Sequence, residues 1–165
     1  MAAMTDPREL FLHELADVLF AEQALTHILP QLQSQSVDEV LAHSFGEHLD
    51  QTRVHVKNLE AIFEELGEPA EPERCPAIEG LRKEHDAFVS GEKPSADILD
   101  LYNTGAAART EHYEIAAYTG LVISARALGE TSAAELLEQN LRDEETMLQR
   151  VETIAERLAR QPARS

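Results

Sequence analysis

GAAARTEHYEIAAY, residues 105–118, is the stretch of sequence that decides the fold. Its alanine, glutamate and arginine residues favour helix, and no β-branched residues alternate with a period of two. Helical geometry places Glu111, Glu114 and Tyr118 on one face, and that face continues through Leu121. The stretch therefore predicts a helix that carries two carboxylates toward an apolar core.

Four long segments share this helix-forming composition, and most of the glycine and proline residues fall between them. We expect the first helix to begin at Pro7, after a cap at Thr5 or Asp6, and to kink or end early at Pro30. The last helix is expected to be capped by Thr131 or Ser132. The four expected helices cover 7–33, 37–66, 95–128 and 131–160.

The connections between these segments predict the topology. Short turns follow the first and third helices, so each of these helices is antiparallel to the next one. Residues 68–94 form a longer connector, rich in proline and glutamate at its start, with a short helix expected over about 77–89. Two antiparallel hairpins joined by a long crossover predict an all-α, ferritin-like four-helix bundle, with residues 1–165 as a single domain.

Charge and composition exclude several classes of partner. The chain has 165 residues and a net charge of −17, which repels nucleic acids and acidic membrane surfaces. No apolar run approaches the ~20 residues that a membrane span requires. The first residues, MAAMTDPREL, lack the apolar stretch of a signal peptide, and the only cysteine is Cys75. These features predict a cytoplasmic protein with no nucleic-acid or membrane partner.

A polar residue interrupts the apolar stripe of each long helix. Continuing the stripes at about 100° per residue places Glu22 inward on the first helix and Glu144 inward on the fourth. On the second helix, the same continuation places His48, Thr52 and His55 inward. Together with the two carboxylates of the third helix, these side chains converge inside the bundle.

Converging carboxylates in a core indicate a metal site. A buried carboxylate without a partner is costly, and several of them together require cations among them. Oxygen and nitrogen ligands suit iron or manganese. Di-metal bundles commonly use single glutamates and Glu-x-x-His motifs, whereas this sequence offers Glu111-x-x-Glu114 and histidines without an inward glutamate on the second helix.

The turn between the first two helices predicts which histidine is the ligand there. If the turn is centred near Gln35, Glu22 lies level with His48, and His55 lies about two turns further along. This register makes His48 the better-placed ligand, but both histidines remain candidates.

The turn between the last two helices predicts how their carboxylates meet. A turn centred near Glu130 makes Glu114 and Glu144 near neighbours. Glu111 then lies one helical turn away from them.

Each of these residues also has an ordinary interpretation. Glu22 could lie on the flank of a helix whose face is rotated, because faces read from a single sequence are uncertain. Glu111 and Glu114 could be a solvated pair, as most charged side chains are. His48 and His55 could be core histidines that are hydrogen-bonded to a carboxylate.

Several further residues are assigned roles outside the ligand set. Tyr118 is expected in the core, with its hydroxyl group seeking a carboxylate. Asp143 and Glu145 are expected to be solvated, and Cys75 lies in the connector without an evident partner. The remaining histidines are expected at the surface: His13, His27, His43, His85 and His112.

Sequence motifs along the chain resemble a known family. ELFLHELADVLFAEQAL at 9–25, EHLDQT at 47–52, EHYEIAAY at 111–118 and DEE at 143–145 occur in order. They resemble the YciF/YciE-like proteins, the DUF892 group of ferritin-like bacterial stress proteins, and the resemblance extends over about residues 9–158.

The resemblance implies a ferritin-like, cytoplasmic, usually dimeric stress protein with a di-iron-type site in its bundle. Many relatives carry glutamate where this chain has Gln51, which weakens the second metal position, and His55 could compensate. Gln51 and Tyr118 are expected beside the ligands. The family's site maps onto Glu22, His48, Glu111, Glu114 and Glu144.

These observations lead to two functional hypotheses. The first is a di-metal carboxylate protein that binds two iron ions, or manganese, and handles O2 or peroxide by Fe(II) oxidation, peroxide consumption or metal buffering. Hydroxylation of an organic substrate is less favoured. The apolar residues Leu12, Leu19 and Phe20 suggest a homodimer. The alternative hypothesis is a metal-free helical bundle that acts as a structural or partner-binding stress module.

Overall fold

The computed structural model describes residues 3–160, which form five α-helices and no strand. This confirms the prediction of an all-α bundle with a helix in the crossover. The outermost residues of the predicted domain, 1–2 and 161–165, lie outside the described range. The helices are α1 (Pro7–Gln35), α2 (Glu39–Glu65), α3 (Pro76–Glu92), α4 (Ala96–Leu128) and α5 (Thr131–Ala159).

Helix α1 is longer than the sequence predicts. Asp6 caps its start, since its carboxylate accepts a hydrogen bond from the backbone N–H of Arg8 at 2.8 Å. The helix continues through Pro30 to Gln35 instead of ending early. Pro30 lies on the exposed side while the flanking Leu29 and Leu32 are buried, so packing outweighs the hydrogen bond that proline cannot make.

The turn between α1 and α2 occupies residues 36–38, later than predicted. Asp38 caps α2 by accepting from the N–H of Leu41 at 3.0 Å. The buried carboxylate of Asp100 on α4 accepts from the N–H groups of Val37 and Asp38, at 3.1 and 2.7 Å. These contacts centre the turn near Val37 rather than Gln35, which moves the pairing of α1 with α2 by about one helical turn.

Helix α3 lies in the crossover and packs against α4. It runs from Pro76 to Glu92, so it is longer than predicted. At the far end of α4, Gly129 adopts a left-handed conformation with φ of 81°, which reverses the chain into α5. Glu130 stands at the N-cap of α5 without a side-chain cap, so the expected cap at Thr131 or Ser132 is wrong.

The buried apolar side chains form two clusters. The first cluster joins the beginnings of α1 and α5 to the ends of α2 and α4. Its members include Leu15, Leu59, Leu121 and Leu137. The second cluster joins the opposite halves of the same helices. Its members include Leu25, Phe45, Met147 and Ile154. Each long helix places at least one buried polar residue between these two clusters, whereas Ser44, Asp100, Asn103 and Thr104 are buried polar residues outside that layer.

The buried face of α5 is rotated slightly from the predicted stripe. Leu137 and Val151 are buried as expected, but Leu141 and Leu148 are only partly buried. The positions one residue earlier, Asn140 and Met147, are buried instead. Because residues three and four apart share a helix face, this alternative fits the same apolar pattern.

The apolar residues that suggested a homodimer pack within the chain itself. Leu19 is fully buried in the first cluster, and Leu12 packs against that cluster. Phe20 packs against the second cluster. These side chains therefore give no support for a second copy, and the homodimer stays a prediction. Among the described residues, no helix is both long and apolar enough to cross a membrane.

Candidate metal centre

Six ionisable side chains lie buried between the two apolar clusters, and each is at most 2% exposed. They come from all four long helices, one from α1, two from α2, two from α4 and one from α5. They are Glu22, His48, His55, Glu111, Glu114 and Glu144.

Glu22, His55 and Glu144 form the first triad. The Nδ1 atom of His55 lies 3.1 Å from Glu22 Oε1 and 2.8 Å from Glu144 Oε1. One ligand atom from each residue lies within 4.8 Å of the other two. This spacing leaves room for one cation among two carboxylates and an imidazole.

His48, Glu111 and Glu144 form the second triad. The Nε2 atom of His48 lies 3.6 Å from Glu111 Oε1 and 3.4 Å from Glu144 Oε2. Glu144 therefore belongs to both triads and directs a different oxygen toward the histidine of each one. A carboxylate in this position can bridge two cations.

The register of α1 against α2 differs from the prediction. Glu22 contacts His55, not His48. Because the turn is centred near Val37, Glu22 lies level with Thr52, and the two histidines lie about one helical turn to either side of that position. Both histidines of α2 consequently face carboxylates, one in each triad.

Glu114 lies beside the triads without joining either of them. It is 1% exposed, and within residues 3–160 neither of its carboxylate oxygens has a hydrogen-bond partner. Native proteins rarely leave buried polar atoms unpaired. The same lack of a hydrogen-bond partner extends to Glu22 Oε2 and Glu111 Oε2, whereas the oxygens of Glu144 have ion-pair contacts with His55 and His48.

Burial and mutual repulsion disfavour the charged forms of most of these acids. Burial, together with the charge of Glu144, raises the pKa of Glu111 and Glu114 well above the usual range of a glutamate. Burial also raises the pKa of Glu22, against the opposing effect of His55. Cations within the cluster would reverse these shifts by favouring carboxylates.

The histidines stabilise the charge of Glu144. Burial alone would raise its pKa, but His48 and His55 outweigh that effect and lower it to about 2. Burial would lower the pKa of His55, yet the carboxylates of Glu22 and Glu144 outweigh it and raise the pKa to about 11. Without a cation, His55 therefore carries the positive charge of the first triad.

One ring nitrogen of each histidine faces the carboxylates of its triad, and the other ring nitrogen faces an oxygen acceptor outside the triad. The Nε2 atom of His55 lies 3.3 Å from Asp143 Oδ2, and the Nδ1 atom of His48 lies 3.4 Å from Gln51 Oε1. An outer acceptor holds the proton of a neutral imidazole and leaves the other nitrogen free to bind a metal. Asp143 is 35% exposed, so it is partly solvated as expected, but sequence reasoning did not predict its contact with His55.

Tyr118 and Asn140 connect the first triad to the surrounding core. The Tyr118 hydroxyl group donates to Glu22 Oε1, as its expected role requires. Asn140 donates to the Tyr118 oxygen at 3.1 Å and accepts from Asn58 on α2 at 2.7 Å. Sequence reasoning missed Asn140, although its position four residues before Glu144 was a signal that the two share a face.

The remaining predicted residues lie outside the triads. The side chain of His85 is only 15% exposed, so its expected surface position is wrong. Its Nε2 atom lies 3.0 Å from Asn103 Oδ1. Cys75 is buried and has a partner after all, since its sulfur lies 3.1 Å from the hydroxyl oxygen of Tyr113. His27, His43 and His112 are exposed, and His13 contacts Glu73 at 2.6 Å.

Known proteins are similar to this chain in both sequence and fold. The family described as "Domain of unknown function (DUF892)" matches residues 6–164. Protein YciF of Escherichia coli (strain K12) is 32% identical over 137 residues, which cover 82% of each chain. The crystal structure of the E. coli stress protein YciF superposes with a TM-score of 0.90, at 29% identity, over 96% of this chain and 100% of that one.

A second solved structure, YcfI from Rhodopseudomonas palustris, has a TM-score of 0.87 and 34% identity. The comparison covers 90% of this chain and 94% of YcfI. The family match spans nearly the whole sequence, and the helical fold agrees with both relatives. This chain therefore belongs to the DUF892 family.

Proposed function

We propose that the protein is a di-metal carboxylate protein that binds two iron ions, or manganese, one at each triad, and handles O2 or peroxide. The observation that carries the proposal is the position of Glu144, whose two oxygens face His55 and His48 respectively. A single carboxylate shared by two buried triads is suited to hold two cations close together.

The charge and chemistry of the donors fit this pair of ions. Two divalent cations would balance the four buried glutamates, three of which have a raised pKa in the protein alone. They would also give partners to the carboxylate oxygens that have no hydrogen bond within residues 3–160. Carboxylate and imidazole ligands are compatible with both iron and manganese.

Each buried residue of the site would have a separate role in binding the two ions. When bound, the metal pair supplies redox chemistry with O2 or peroxide. Glu22 and His55 would hold one ion, Glu111 and His48 the other, and Glu144 would contact both. Glu114 provides a further buried carboxylate beside the triads. The apolar clusters on both sides limit the access of bulk water.

We also propose that the chain acts in the cytoplasm as a homodimer, and that it does not bind nucleic acid or membranes. The net charge of −17 supports the exclusion of polyanions. Exposed apolar side chains at Val37, Val40 and Ile98, near the α1–α2 turn and the start of α4, provide surface for a second copy.

Metal retention tests the proposal directly. The full-length chain would be loaded anaerobically with Fe(II) or Mn(II), desalted and analysed by plasma mass spectrometry. We expect about two ions per chain in the native protein and fewer than about one in Glu144→Gln, which keeps the shape but removes the shared charge. The adjacent exposed residue offers a matched control, and Glu145→Gln should retain both ions.

The alternative is a metal-free structural or partner-binding module. The contacts of His55 with Glu22 and Glu144 favour it, because an ion pair can satisfy those groups without a metal. The metal-free alternative does not explain, however, why Glu111 and Glu114 are buried with unpaired oxygens. Retention near zero for both metals, in a chain shown to be folded by circular dichroism, would favour this alternative and reject the metal centre.

A further inference from the structure

A groove opens between α1, α3 and α4 on the side of the bundle where the crossover passes. The groove also has polar and charged lining residues, but most of its accessible surface is apolar, and half of its lining side chains are aliphatic or alanine. They include Leu25 and Leu29 of α1, Ile78 and Leu81 of α3, and Ala106 and Ala107 of α4. Concave sites with mostly apolar walls and a few polar groups are the usual form of small-molecule sites.

The groove reaches the candidate metal centre. Glu111 is one of its lining residues, although only 2% of Glu111 is exposed. Its Oε1 atom lies 3.6 Å from His48 Nε2, and within the described part of the chain its Oε2 atom has no hydrogen-bond partner. A molecule in the groove would therefore lie next to the second triad.

The charges at the mouth of the groove are balanced. Arg82 Nε lies 3.7 Å from Asp86 Oδ2, and Arg109 Nε lies 3.3 Å from Glu84 Oε2. Each cation thus has a carboxylate beside it, in a chain whose net charge is −17. An anionic ligand would meet repulsion without gaining an unpaired arginine, and a cationic ligand would lose its hydration among aliphatic walls.

We propose that this groove binds an uncharged, mainly apolar small organic molecule and brings it beside Glu111. O2 and peroxide are small enough to pass without a groove that is lined by three helices. An aliphatic or aromatic molecule, in contrast, would bury apolar surface in this groove. That this molecule would meet a metal pair rests on the proposed function. Apart from Glu111, the side chains that line the groove belong to neither triad.

Binding of 1-octanol to the full-length chain tests the proposal, and octanoate serves as its charged counterpart. Titrations followed by methyl NMR are made on the protein as purified and after metal loading. We expect 1-octanol to shift the methyl signals of Leu25, Leu29, Ile78 and Leu81 in both forms. Octanoate should bind about tenfold more weakly, because its charge would have to be desolvated among apolar walls.

Two phenylalanine substitutions on α4 provide a matched pair. Ala106→Phe places a ring in the groove and should weaken 1-octanol binding about tenfold or more, while Ala116→Phe on the exposed side should leave it unchanged. Leu81→Gln, which makes the α3 wall polar, replaces Ala106→Phe if that variant does not fold. Metal retention is measured on the same samples.

Three results would overturn the proposal: no binding of 1-octanol up to its solubility limit, binding unaffected by the groove variants, or octanoate binding as tightly as the alcohol. A failure of the proposed function shows separately, as loss of metal retention with intact 1-octanol binding. Metal retention without 1-octanol binding would reject the groove proposal and leave the metal centre in place.

Discussion

Asp143 determines which nitrogen of His55 faces the first triad. Its Oδ2 atom lies 3.3 Å from His55 Nε2, so a neutral imidazole that donates to Asp143 has its Nδ1 lone pair directed toward Glu22 and Glu144. Asp143→Ala removes that acceptor, and the proton can then occupy either nitrogen. We expect the affinity for one of the two metals to fall about 10- to 100-fold, measured by competition with a chelating dye.

The exposed neighbour of this residue on α5 gives the comparison for that experiment. Glu145→Ala removes a carboxylate from the same helix turn without touching the triads, and its metal affinity should match that of the native chain. Equal affinities in Asp143→Ala and the native chain would show that the outer contact does not orient His55.

At the scale of the helices, Asp100 fixes the register of α1 against α2. Its buried carboxylate accepts hydrogen bonds from the backbone of the 36–38 turn, which also contains the α2 cap Asp38. Asp100→Ala leaves two N–H groups without their acceptor, and we expect the free energy of unfolding to fall by about 1–3 kcal/mol. Urea denaturation measures this change.

The same substitution should also weaken metal binding, because the position of α2 sets the positions of His48 and His55. Asp50→Ala removes only an exposed ion pair with Arg53 and should change the free energy of unfolding by less than about 1 kcal/mol. A loss of stability without any change in metal affinity would mean that the turn supports the bundle but does not position the histidines.

Helix interiors were predictable from the sequence, but the ends of the helices were less so. The apolar stripe of α1 repeats over many turns, which fixes its buried face, including the position of Glu22. The extension of α1 beyond Pro30 depends on the packing of Leu32, and the position of the turn depends on two hydrogen bonds to Asp100, which is 62 residues from Asp38 in sequence. No local pattern carries that information.

The same distinction applies to the site. Periodicity could identify the polar residues at stripe positions of the long helices, because a polar residue on the buried face of a helix is buried together with its apolar neighbours. Asp143 and Asn140 lie close to those stripes, and their roles come from contacts with His55 and Asn58 on another helix. The pairing of Glu22 with His55 likewise required the true position of the turn.

For the whole molecule, the buried acids set the pH dependence of stability without metal. The pKa of Glu111 and Glu114 is raised in the folded state, so their contribution to stability is fully present below the unfolded value near 4.5 and is lost as the pH rises. His55 contributes fully below pH 6.5, and its contribution is lost as the pH rises to about 11. The free energy of unfolding of the metal-free chain should therefore fall as the pH rises above about 4.5, and it should continue to fall toward about pH 11.

Metal loading should oppose this trend, since carboxylates bind cations in their deprotonated form. The increase in melting temperature on loading is expected to grow with pH over the same range and to disappear with a chelator. The double variant Glu111→Gln, Glu114→Gln should flatten the curve of the metal-free chain. Stability that rises with pH in the absence of metal would contradict this account of the buried acids.

With the proposed metal pair, the layer of ionisable groups between the two apolar clusters would link the lifetime of the folded chain to the cellular supply of iron or manganese. Ligands that bind only the folded state reduce the population of open forms by mass action, and proteases cleave those open forms. A cell short of iron or manganese would hold this protein in its more easily degraded form. The abundance of the chain would then follow the metal pool through turnover, without a dedicated regulator.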